Sequence, residues 1–144
     1  MRIAVISLLA ALLASFGGGQ ADTFTVRIVC QSPGVSRILY TACVDGQRRA
    51  MGGMADLDGT VLSPDSELML TVPRSWFAPE DDLGAFSLEL TLYGPDAPQP
   101  LGTAPPVAIP AAYGGSYTLL LTGDGAAGFR AWLERGATGQ KNST

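Results

Sequence analysis

The chain has 144 residues, 47% of them hydrophobic, a net charge of −4 and no histidine. That length suits one domain with a real core, and the missing imidazole removes the commonest general base and metal ligand near neutral pH. An acidic chain with one lysine, Lys141, and one basic doublet, Arg48–Arg49, has no surface for phosphate contacts, so neither nucleic acid nor an anionic membrane is an expected partner.

In chain order, Arg2 precedes an uncharged apolar run, Ile3 to Leu13, and a small-residue stretch holding Gly19 and Ala21. This is the layout of a secretory signal peptide over 1–21, and the apolar run is too short to span a bilayer. Cleavage after Ala21 would remove Arg2, take the charge from −4 to −5 and leave a soluble periplasmic or secreted protein with no membrane insertion. The rest divides into a β domain over 22–135 and a flexible tail over 136–144.

Within the domain the pattern is strands and turns, with almost no helical period. Phe24, Val26, Ile28 and Cys30 alternate with Thr25, Arg27 and Val29, a half-buried strand. Pro33-Gly34 marks a turn before a second strand, Ile38 to Val44. Asp45-Gly46 suits a two-residue type I′ turn into a return strand from Gln47 to Met51, which Gly52 and Gly53 weaken. Leu68, Leu70 and Val72 face one way in the next strand, and Phe86, Leu88, Leu90 and Leu92 make the clearest alternation in the chain. Six prolines between Pro95 and Pro110 bar a central strand there and leave room for a short edge segment, Val107 to Ile109. Tyr117, Leu119 and Leu121 form another strand, and Phe129 to Glu134 the last. Trp132 is expected either exposed or beneath the proline-rich stretch. Seven to eight short strands punctuated by turns predict an all-β, antiparallel β-sandwich with Val26, Ile28, Leu68, Leu70, Leu88, Leu90, Leu92, Leu119 and Leu121 inward.

Asp82-Leu83-Gly84-Ala85-Phe86 resembles the D-x-G-x-Y corner of immunoglobulin-like sandwiches, where the aspartate and glycine shape the turn and the aromatic opens the next strand. The resemblance implies an immunoglobulin-like fold. The chain departs from that pattern at Phe86, which has no hydroxyl, and at Leu88, where antibody-type domains carry cysteine.

Two cysteines in an oxidising compartment point to a Cys30–Cys43 disulfide. A simple hairpin of the first two strands would instead hold them roughly 20 Å apart, so the bond and the hairpin are mutually exclusive.

Without histidine no Ser-His-Asp site forms, and no S-x-x-K is present. Asp56 and Asp58, with Gly59, resemble the opening of a calcium loop, but the late bidentate glutamate is missing. Expected contacts are therefore the loop Tyr113 to Tyr117, with aromatic area on two glycines, and the acidic turn Glu80, Asp81 and Asp82, able to steer a basic partner. The expected function is non-catalytic binding of another exported protein without a cofactor, as an accessory, chaperone-like or inhibitory module. A carbohydrate- or Ca²⁺-binding module is the alternative, and a small His-free hydrolase the third.

Overall fold

The computed structural model describes residues 21–55, 61–63, 65–95 and 97–134. Residues 1–20 of the expected signal segment, Asp56, Asp58 and the expected tail over 136–144 lie outside them. Eight strands follow in order: β1 (Thr23–Cys30), β2 (Arg37–Val44), β3 (Gln47–Ala55), β4 (Ser66–Pro73), β5 (Phe86–Tyr93), β6 (Gly102–Ala108), β7 (Ser116–Asp124) and β8 (Gly128–Glu134). Single 3₁₀ turns at Arg74–Trp76 and Leu83–Ala85 interrupt the connection between β4 and β5.

The strands make two four-stranded sheets, β4-β1-β7-β8 and β3-β2-β5-β6. Alternation decides which side chains lie between them. Phe24, Val26, Ile28, Leu68, Leu70, Leu119 and Leu121 point in from the first sheet, and Ile38, Ala42, Phe86, Leu88, Leu90 and Leu92 from the second. Every residue of the expected inward set is buried, each contributing roughly 1.5–3 kcal/mol by leaving water. The chain is an all-β sandwich.

All pairings are antiparallel except β1 with β7, which runs parallel from Thr25–Ser116 to Cys30–Leu121. These two strands meet far apart in sequence, so no hairpin fixes their direction. The Asp45-Gly46 turn forms as expected, with φ of 53° and 79°. β3 continues through Gly52 and Gly53 to Ala55 because Gly52 faces Tyr40, and a Cβ there would overlap the Tyr40 ring. The glycine is thus a site of close aromatic cover rather than a weakness. β6 is longer than expected and includes Pro105 and Pro106, which fit because β6 is an edge strand with a register shift opposite Leu88 to Leu90.

The expected disulfide is not formed, and neither is the competing hairpin: both cysteines are free. Gln31 to Ser36 carries the chain from one sheet to the other, so β1 and β2 are not neighbours. Cys30 points into the core, whereas Cys43 alternates with buried Ala42 and Val44 and lies on the outer face of the second sheet. The second sheet therefore lies between the two side chains. Burial pushes the Cys30 thiol up, against a weak contact to the Ser32 carbonyl, and this keeps it unreactive.

Candidate functional site at the aromatic end

Both segments singled out from sequence converge on one end of the sandwich. The starts of β1, β5 and β7, the β2–β3 turn and the connections through 74–85 and 109–115 all meet there. At its centre lies Phe24, with ring centroids 6.5 Å from Phe77, 5.1 Å from Phe86, 6.3 Å from Tyr113 and 6.0 Å from Tyr117. The pairs with Phe86 and Tyr117 are edge-to-face, an arrangement that adds roughly 0.5–1.5 kcal/mol each beyond area burial. Beside them Tyr40 stacks on Trp76 at 5.9 Å. The two loops are joined directly, since the Ala111 amide donates to the Leu83 carbonyl (3.2 Å).

Most of the expected contact residues also hold this end together. The Tyr117 hydroxyl accepts a hydrogen bond from the Ala112 amide (3.0 Å), tying the strand back to its own approach loop. Tyr113 is half-buried, with the Arg74 guanidinium 4.0 Å from its ring centre, and burial raises its phenol pKa although Arg74 opposes the shift. Arg74 in turn bonds the Asp22 carboxylate (3.0 Å).

Asp81 is the most committed of the set. Its carboxylate, only 5% exposed, accepts two bonds from Arg49 on β3, Nη2 to Oδ1 at 2.7 Å and Nε to Oδ2 at 2.9 Å, and a third from the Ala78 amide at 2.9 Å. The Arg49 hydrogen bonds, with the Ala78 amide second, hold it below the usual carboxylate range. Asp82 accepts from the Gly84 amide (2.9 Å) and caps the turn into β5. Glu80 stands exposed beside them.

Between the β2–β3 turn and this acidic segment lies an open hollow of about 280 Å³, lined by Val44, Asp45, Gln47, Arg49, Glu80, Asp81, Asp82 and Ala85. Asp45, Glu80 and Asp82 are exposed at it, and among the described residues no cationic side chain bonds Asp45 or Glu80. Among the described residues no cluster of three or more His, Cys, Asp or Glu could hold a metal ion, and no helix is long and apolar enough to cross a membrane.

Sequence reasoning missed Arg49, Asp45 and Gln47 as parts of this site. Only the Arg48–Arg49 doublet gave a signal, and doublets are common on solvated strands. Trp132, exposed at 41%, lies at the opposite flank on the outer face of the first sheet, with Arg130 6.0 Å from its ring centre.

No family model matches the chain, and no curated protein is similar to it. A solved structure, the NMR structure of a protein from Eubacterium rectale, aligns at 11% identity over 81% of this chain and 93% of that one, with a TM-score of 0.43. That likeness is too loose to carry an argument about fold or function.

Proposed function

We propose that this chain is an exported, non-catalytic protein-binding module, acting as an accessory, chaperone-like or inhibitory partner of another exported protein. The carrying observation is the convergence of the acidic turn and the tyrosine loop on one braced end, where the acidic turn and the β2–β3 turn line a hollow whose exposed carboxylates outnumber its one arginine. Rigid support beneath a polar rim is what a binding surface needs, because little ordering is left to do on association. Aromatic edges at Trp76 and Tyr113 supply apolar area beside the charge.

The export signal over 1–21 supports a periplasmic or secreted setting. The fold reads as immunoglobulin-like at the Asp82–Phe86 corner, where the Asp82 cap on Gly84 reproduces the turn chemistry of that corner. The hydroxyl that Phe86 lacks has a counterpart on Tyr117, bonded back to the Ala112 amide.

Photo-crosslinkers placed at Glu80 and Ser75, with one at Trp132 as control, test the reading in the exporting cell. A discrete partner band from the first two positions and none from the third is expected. Equal labelling from all three would move the contact surface away from this end.

A further inference from the structure

The hollow opens at the start of β3, and β3 is an unusual edge. Among the described residues its outer side has no strand beside it and no backbone hydrogen bond to any loop. It has no proline and no acidic residue, and Met51 on it is 61% exposed. The direction of its backbone groups follows from its neighbour. The Asp45 amide donates to the Ala85 carbonyl across to β5, so Val44 and alternate residues before it turn their polar groups toward β3. Counting along the pairing Tyr40–Gly52 and Ile38–Met54, and past the bulge at Ala42/Cys43, Gly52 and Met54 bond inward. Met51, Gly53 and Ala55 then present N–H and C=O groups outward. A row of such groups is a template for another strand.

We infer that the partner is taken up as an extended segment added antiparallel to β3, with a lysine or arginine C-terminal to the paired stretch seated in the Asp45–Glu80–Asp82 hollow. The inference rests on the protein-binding reading and names the partner's chemistry. Charge selects the occupant. Arg49 is already neutralised by Asp81, while Asp45 and Glu80 have no cation bonded to them among the described residues. An antiparallel strand pairing with Met51 to Ala55 runs toward Gln47, so its side chains reach the hollow about three residues beyond the pair opposite Met51. A second copy fits less well. Each chain carries a net −4, and antiparallel pairing of two β3 strands would send Arg48 and Arg49 of each copy away from the other's hollow.

The test uses the full exported chain and a short labelled peptide of alternating threonine and valine with one lysine near its C-terminal end, followed by fluorescence anisotropy. Controls move the lysine to the N-terminal end or replace it with glutamate. The lysine peptide should bind, and both controls should bind about tenfold more weakly or worse. Asp45→Asn with Glu80→Gln should erase that difference, since asparagine keeps the positive φ of the turn. Met51→Pro should abolish binding by removing an outward donor while leaving the melting temperature close to wild type. Binding that ignores both the lysine and the two carboxylates would overturn the charge assignment and leave the protein-binding reading intact. Binding unaffected by Met51→Pro, or absent for every peptide, would overturn strand addition, and a dimer in native mass spectrometry that Met51→Pro dissolves would give the edge to a second copy.

Discussion

Along one flank of the sandwich β6 packs beside β8, Phe129 is buried against Gly102, and Pro105 and Pro106 break the edge that would otherwise invite pairing. Along the other flank β3 and β4 form the two edges, and among the described residues no comparable contact joins them. The closed flank is protected by packing and by missing N–H donors. The open flank is stabilised differently: Tyr40 covers Gly52, Trp76 stacks on Tyr40, and Arg49 is clamped to Asp81. One flank removes its edge. The other keeps an edge and rigidifies what lies around it, as the proposed contact surface requires.

The contrast can be broken at several points. The largest effect is expected on the closed flank, where Phe129→Ala should cost about 3–5 kcal/mol by leaving a cavity between β6 and β8; chemical denaturation measures it. A loss under about 1 kcal/mol would mean that the flank is not closed by packing. On the open flank, Gly52→Val should cost about 1–3 kcal/mol because its side chain competes with the Tyr40 ring. Tyr40→Ala in the same background should recover part of that loss in a double-mutant cycle.

The Asp81 clamp sharpens the contrast through pH. Its carboxyl is depressed in the folded state, so the unfolded chain binds the extra proton first as pH falls. The clamp's contribution is therefore present above the unfolded-state pKa and lost as pH drops through the lower folded value. Thermal melts of Asp81→Asn should show a weaker fall in stability across that acidic window than wild type, and identical slopes would exclude the clamp as a source of it. Smallest of all, Met51→Pro should change stability by less than about 1 kcal/mol, because Met51 lies on an edge with its N–H turned outward. A large loss would show that this amide is already bonded within the fold.

The strands were legible because period-two alternation reports burial directly, and Phe86 to Leu92 needed no other information. The Asp45-Gly46 turn was legible for a local reason, its requirement for positive φ. The site was half legible. Tyr113, Tyr117 and Glu80 to Asp82 stood out as aromatic and acidic groups on loops, but that Asp81 is a clamp and Tyr117 a tie to its approach loop depends on Arg49 and Ala112, which sequence could not set beside them. The cysteines failed for the same reason. Their separation along the chain said nothing about which sheet each strand joins, and the crossing at Gln31 to Ser36 leaves the second sheet between them.

By itself the sequence determined the inward faces of the clearest strands, the Asp45-Gly46 turn and that the domain is all β, because these follow from side-chain period and backbone freedom within a few residues. Only the tertiary structure decided which strands share a sheet, the parallel pairing of β1 with β7, the gathering of two loops at one end and the exposure of β3. Those depend on contacts between residues tens of positions apart, and local patterning carries no register or direction for such partners.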